Sequence, residues 1–336
     1  MSTDNTLRVA MIGAGGIANP HIDAWLTLGA DVRVYSHEGA EELVAAHGGG
    51  TVAATREEAF DGADLVDVVT PTYTHGEIVT AAVAHGLDVV CEKPLALTTA
   101  EVTELVERAE AAGVALYPAH VVRFFPEYAA MQQHVAGGGV GEVAVQRFTR
   151  LGSRPVKPWF ADPHLSGGIV MDQMIHDLDF ARWTAGEVAR VFARESVTPD
   201  AADRLGVVSA QVVLTHVSGA LSYVTGTWAA PGSTFRTTFE IAGTDGFVRH
   251  DSAEHAPLRL DNGAAGEGRG LLPGATFTES PYLTELRELL AAVRREGRAR
   301  VNARDGLEAV RLAEAASTSL RTGDVVDLEP TLERAS

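Results

Sequence analysis

The sequence predicts an α/β chain in two parts: a parallel, doubly wound sheet over residues 1–121, then an α+β domain over 122–336 with a large, mainly antiparallel, open-faced sheet. Three observations predict it. The first third alternates short apolar runs with helical stretches, the pattern of crossover units and parallel pairing. Beyond residue 121 the apolar runs lengthen and alternate with polar residues, as strands do when the two faces of a sheet meet different surroundings. At 336 residues, 46% hydrophobic and 21% charged, the chain can bury two cores without disulfides or a structural metal.

Taken in order, 7–12 (LRVAMI) reads as a buried strand opening into a glycine-rich turn, and 17–28 follows at helical spacing. A second strand at 31–35 precedes a short helix at 40–47, stopped by the glycines at 48–50. Strand 65–70, helix 75–85 and strand 88–91 form a further unit. Helix 98–112, with Glu and Arg on its wet face, leads into strand 114–117. In the second part, 142–151, 189–197, 207–216, 220–228 and 235–242 read as strands, with Ser218-Gly219 a hairpin turn. Helices interrupt them at 126–135 and 169–185, and a pair at 282–296 and 303–321 closes the chain. The C-terminal helix is a candidate to pack back on the first domain. The glycine-rich stretch 261–274 reads as a mobile loop.

Charge and cysteine content narrow the function. With 45 acidic and 27 basic residues the net charge is −18, which repels phosphate backbones and anionic lipid, so neither nucleic acid nor membrane is an expected partner. Cys91 is the only cysteine, which excludes an internal disulfide and a cysteine zinc site. No apolar run approaches the ~18 residues of a membrane span, and the first residues lack the charged-then-apolar pattern of a secretory leader. A cytoplasmic location is the default expectation. Of the 27 basic residues only Lys93 and Lys157 are lysines. In a chain that otherwise uses arginine, a retained lysine suggests a need for a compact ammonium.

Gly13–Ala18 (GAGGIA) lies between a strand and a helix and matches G-x-G-x-x-G/A. Gly13 allows the tight turn and Gly15 lets backbone approach a pyrophosphate. Small Ala18 permits close packing, and Gly16 and Ile17 complete a turn that faces the helix N-terminus toward negative charge. This is the dinucleotide-binding arrangement of a Rossmann domain. The ribose reader belongs at the end of the second strand, where Ser36 and His37 stand in place of an acid. A hydroxyl followed by a potential cation suits a 2′-phosphate, so NADP is slightly favoured over NAD, although Glu38 could reverse that preference. The segment CEKP places Glu92 and Lys93 at the C-terminal end of a parallel strand, the edge where such sheets bind ligands. In SGGIVMDQMIHDLDFARW, Asp172 and His176 are four residues apart and Asp179 three further on, so all three share one helical face. A histidine flanked by carboxylates is held in orientation and tuned for proton transfer. No second histidine stands near His176 at metal-ligand spacing, so no metal is expected. Arg154, Lys157, Trp159, Phe160, Asp162 and His164 lie between these motifs, and an aromatic among hydrogen-bonding groups suits a sugar ring.

GAGGIA, TPTYTH (Thr70–His75), EKP, the SGG…D…H helix and IAGTDG at 241–246 occur in this order. Together they resemble the glucose-fructose oxidoreductase and inositol dehydrogenase family (Gfo/Idh/MocA) over nearly the whole chain. The resemblance implies that Thr70, Pro71, Thr72 and His75 lie by the nicotinamide with Glu92 and Lys93. It also implies that Lys93, Asp172 and His176 form the catalytic group. Where the family often has Asn, this chain has His120, shortly before Arg123. His120, Arg123, Trp159, Asp172 and His176 are the substrate-binding candidates.

The expected function is hydride transfer between NAD(P) and the hydroxyl or keto carbon of a sugar or polyol. In that chemistry His176 takes the hydroxyl proton, Lys93 steadies the developing charge on oxygen, and Asp172 orients His176 or holds a neighbouring hydroxyl. The three groups would converge in one cleft. Relatives of this kind also include redox-neutral, NAD-dependent glycosidases and non-catalytic sugar or cofactor sensors. Retention of the proton-transfer group argues against a sensor. An open sheet face implies self-association, as a homodimer or homotetramer.

Overall fold

The computed structural model describes residues 6–198, 206–253 and 279–329; the expected loop at 261–274 lies outside them. The chain forms two compact units. One holds the chain as far as Phe125 and a later stretch ending at Val310; the other begins at Pro126 and resumes at Arg311.

The first unit contains a wholly parallel six-stranded sheet in the order β3-β2-β1-β4-β5-β6. Its strands are β1 (Arg8–Ile12), β2 (Asp31–Tyr35), β3 (Thr51–Val52), β4 (Leu65–Val68), β5 (Asp88–Glu92) and β6 (Leu116–Ala119). Helices α1 (Ala18–Thr27), α2 (Ala40–His47), α3 (Arg56–Phe60), α4 (His75–Ala84) and α5 (Thr99–Ala112) connect them. The central strands are buried end to end, Val9 to Ile12 and Leu65 to Val69 alike, because helices cover both faces of a parallel sheet. Strand order reverses between β1 and β4, and the crevice outside their C-terminal ends is where open α/β sheets take ligands.

The second unit holds a seven-stranded sheet in the order β12-β11-β7-β10-β9-β8-β13. Its first elements are α6 (Pro126–Ala136), β7 (Val143–Ser153), and the short helices α7 (Pro158–Ala161) and α8 (Pro163–Ser166). A wide π turn (Val170–Met174) runs into α9 (Ile175–Ala185). Next come β8 (Val188–Thr198), β9 (Val207–His216), β10 (Leu221–Ala229), β11 (Arg236–Gly243) and β12 (Phe247–Asp251). Pairing is antiparallel except between β7 and β10, which run parallel at the centre. Every second residue of β9 and β10 is buried, Val208, Ala210, Val212 and Leu214 on one strand and Ser222, Val224 and Trp228 on the other. The opposite face is less buried and carries exposed Val207 and Tyr223.

After the second sheet the chain continues as α10 (Pro281–Val293), α11 (Ala303–Thr322) and β13 (Val326–Asp327), which borders β8. The sequence suggests a boundary at 121/122 with the C-terminal helix a candidate to pack back; the first unit reaches Phe125 and takes in α10 and the start of α11. The reason is apolar: Leu286, Leu289 and Leu290 of α10 share a core with Ile22 and Trp25 of α1 and Val90 of β5. Among the described residues no helix is long and apolar enough to cross a membrane.

Candidate active site

In the first unit the site is built mainly from backbone. Gly13 adopts φ +114°, and a Cβ there would lie 2.7 Å from the carbonyl oxygen of Val69, so only glycine fits this close crossing of β1 over the end of β4. Its N–H donates to Tyr35 O at 2.8 Å, which shapes the turn. The next N–H groups, of Ala14, Gly15, Gly16 and Ile17, donate to no protein acceptor among the described residues. Helix α1 has no side-chain cap and no acid in its first turn. By contrast, Thr55 caps α3 and Thr98 builds a full capping box on α5. An uncapped helix start with successive unspent donors is a cradle for an anion, and these residues fit the pyrophosphate of a dinucleotide. Ser36 is half-buried at the end of β2, with His37 and Glu38 exposed beside it and the rings of Tyr35 and His37 5.8 Å apart.

At the end of β4, Thr70 and Pro71 are half-buried and Thr72 is buried. The Thr74 hydroxyl lies 2.7 Å from that of Thr70 and 2.8 Å from Pro71 O. His75 does not point outward, as a direct cofactor contact would require. It is 1% exposed, with Nδ1 2.8 Å from Pro94 O and Nε2 2.9 Å from Thr70 O. Burial pushes its pKa down, so the ring is neutral and donates to one carbonyl at a time. His75 therefore braces the Thr70 loop against the Lys93–Pro94 turn.

Lys93 follows β5 and is half-buried. Glu92, expected beside the cofactor, is instead turned inward. Its Oε2 accepts the Lys93 N–H at 3.0 Å, and its Oε1 lies 3.2 Å from His21 Nε2. His21 Nδ1 is 2.9 Å from Asp67 Oδ2, which also accepts the Trp25 indole N–H at 2.7 Å. Sequence reasoning missed this cluster. Its only signals are an acid inside the apolar run LVDVV and a histidine among the apolar residues of α1.

Arg123, a substrate candidate by sequence, is 1% exposed and committed elsewhere. Its guanidinium donates to Arg300 O at 2.5 Å and pairs with Asp305 at 3.3 Å, fixing the returning C-terminal stretch within the first unit. His120 is likewise buried, at the start of the turn 121–124.

In the second unit the candidate residues are side chains on one bolted helix. Asp172 lies in the π turn and His176 in the first turn of α9, both half-buried among buried Met171, Met174 and Ile175. Asp179, expected on their face, is 2% exposed and lies deeper. The wide turn needs room against the sheet: a Cβ on Gly226 of β10 would overlap the Met174 side chain. Below it, Arg150 of β7 makes two 2.8 Å hydrogen bonds to Asp177, both residues buried. At the other end of α9, Gln146 donates to Ala181 O and Ser222, each at 2.8 Å, and accepts from Thr184. These contacts fix the helix that carries Asp172 and His176. Trp159 and Phe160 of α7 stack on each other with centroids 3.7 Å apart. Among the described residues no group of three His, Cys, Asp or Glu could hold a metal ion.

Comparison with known proteins adds a family. Residues 7–120 match the model of the oxidoreductase family with an NAD-binding Rossmann fold, and residues 128–249 match the Gfo/Idh/MocA C-terminal domain. Myo-inositol 2-dehydrogenase of Thermotoga maritima is 33% identical over 275 residues, 79% of this chain and 80% of that protein. D-xylose 1-dehydrogenase (NADP(+)) 2 of Haloferax volcanii is 30% identical over 81% of this chain and 82% of its own length. Among solved structures, GenD2 from gentamicin A biosynthesis, in complex with NAD, superposes with a TM-score of 0.85 at 26% identity, covering 98% of each chain.

Proposed function

The chain belongs to the Gfo/Idh/MocA family of NAD-binding oxidoreductases, and from that premise we propose that it moves a hydride between a nicotinamide and the hydroxyl or keto carbon of a sugar or polyol. One observation carries the reading: the row of unspent N–H groups at Ala14, Gly15, Gly16 and Ile17, beside an uncapped helix, which an anionic dinucleotide satisfies. The activities of its relatives on inositol and xylose support the substrate class.

The bound dinucleotide supplies the hydride donor or acceptor. The turn amides hold its phosphates, and Thr70, Pro71 and Thr72 shape the loop at the C-terminal end of β4. The Lys93 ammonium hydrogen-bonds the substrate oxygen and stabilises charge that develops there. His176 takes the hydroxyl proton in oxidation and returns it in reduction, with Asp172 orienting the imidazole or holding a neighbouring hydroxyl. Trp159 offers an apolar face to a sugar ring.

Ser36 and His37, with no acid at the strand end, favour NADP over NAD. The names of the relatives include both cofactors. The uncovered face of the second sheet supports a homodimer or homotetramer, to be read by light scattering. The decisive experiment screens sugars and polyols with each cofactor for reduced-nicotinamide absorbance. Net NADPH formation on a sugar or polyol is the expected result. Glycoside hydrolysis without net reduction, or no turnover despite dinucleotide binding, would overturn it.

A further inference from the structure

Behind Lys93 the first unit buries a chain of charge that the reaction does not itself require. His21 is 0% exposed, and its two ring nitrogens face Asp67 on β4 and Glu92 on β5. Both partners are carboxylates that only accept when ionised, so a ring that satisfies both must donate from both nitrogens, which only an imidazolium does. Burial opposes that charge, yet Asp67 and Glu92 outweigh burial and raise the pKa well above the usual histidine range. Burial likewise disfavours the Glu92 carboxylate, but His21 and Lys93 hold its pKa below the ordinary value.

The other groups around His21 sharpen the picture. Trp25, on the same helix, donates to Asp67, and Cys91 of β5 is fully buried. From α10, Tyr282 sets its ring 5.7 Å from that of His21, and Glu285 follows one turn later, 0% exposed. Neither Glu285 oxygen has a hydrogen-bond partner among the described residues, and burial raises its pKa well above the ordinary range, so it stays protonated. A buried chain of this kind contributes little to stability compared with apolar residues of the same volume. Its place in the fold is more telling, since it ends on the amide of Lys93.

We infer that Asp67, His21 and Glu92 are positioning residues for Lys93: an imidazolium clamped between two carboxylates fixes Glu92, and Glu92 fixes the turn from which the lysine side chain springs. The inference rests on the reading of Lys93 as the group that binds the substrate oxygen. The chain's composition supplies a clean probe, because Lys93 and Lys157 are its only lysines. Full-length protein labelled with ¹⁵N-lysine gives two backbone amide resonances, assigned with Lys157→Arg.

His21→Gln keeps a hydrogen-bonding side chain but removes the cation. It should move the Lys93 amide resonance and leave that of Lys157 in place. It should also lower kcat about 10-fold or more, against the ~10²-fold that full misplacement of a reacting group costs, with KM and dinucleotide affinity little changed. Adding Asp67→Asn, which removes one of the two opposed carboxylates, should restore part of the lost kcat. An unmoved Lys93 resonance, or a double variant no faster than the single one, would overturn the proposal. In wild-type protein labelled with ¹⁵N-histidine, both His21 nitrogens should remain protonated at about pH 7.5, a full unit above the ordinary value of ~6.5. A neutral His21 ring there would also overturn it. The two nuclear readouts need no substrate, so failure of the hydride-transfer reading would be visible separately, as turnover missing from a protein whose Lys93 resonance behaves as expected.

Discussion

The two units prepare for ligands by different physical means. In the first, the donors aimed at a ligand are backbone N–H groups, shaped by a glycine at φ +114° and left uncapped. In the second, the groups proposed to react are side chains on a helix held by Arg150, Asp177 and Gln146. A backbone site tolerates few residues but depends on no remote partner for its chemistry. A side-chain site depends on everything that sets the rotation and depth of its helix, including a glycine on β10 that leaves room for the π turn. Lys93 belongs to the first unit yet depends on buried side chains, and so joins the two strategies.

The largest expected effect tests whether side chains carry the chemistry. Lys93→Met and His176→Ala should each cut turnover by ~10²–10⁴-fold while leaving dinucleotide affinity nearly intact. Equal turnover in either variant would remove that residue from the mechanism. Next, Asp177→Ala should destabilise the second unit by about 3–5 kcal/mol, because it strands the Arg150 guanidinium in the core; denaturant melts read it directly. A loss below about 1 kcal/mol would mean that the helix is not bolted where the hydrogen bonds suggest.

A smaller effect has the opposite sign. Glu285 keeps its proton in the fold but releases it in the unfolded chain above the ordinary carboxylate range, so stability falls as pH rises. Glu285→Gln should remove that slope, with a gain that grows above about pH 5 and vanishes below about pH 4. Parallel pH profiles for variant and wild type would show that Glu285 is not held protonated. Smallest, Thr98→Ala removes a cap from a helix that needs one, and should cost about 1 kcal/mol with unchanged turnover. The same loss at α1 cannot be engineered, since that helix has no cap to remove.

Much of the first unit was legible in the sequence because its signals are local. The glycine turn, the alternation of strands with helices, and the edge positions of Thr70 and Lys93 need only neighbouring residues. Helix α2 runs over the expected residues, and α1, α4 and α5 lie within a residue or two of theirs. The rest depended on partners remote in the chain. His21 and Asp67 are 46 residues apart, and nothing local marks either as one of a pair. The inward turn of His75 and Glu92 and the burial of Arg123 follow from packing that motif spacing does not encode. The parallel pairing of β7 with β10 was hidden for the same reason, since alternation reports faces but not neighbours. The π turn under Asp172 is likewise invisible to helical spacing, and the glycine that accommodates its Met174, Gly226, lies on another strand.

The return of α10 to the core around Ile22 and Trp25 limits how this protein can be cut. A fragment stopping at residue 125 would leave bare the apolar surface that Leu286, Leu289 and Leu290 cover, so the nucleotide-binding half is not encoded by one continuous piece of gene. Anyone grafting a new substrate domain onto it must splice an insert between two retained segments rather than join two modules end to end.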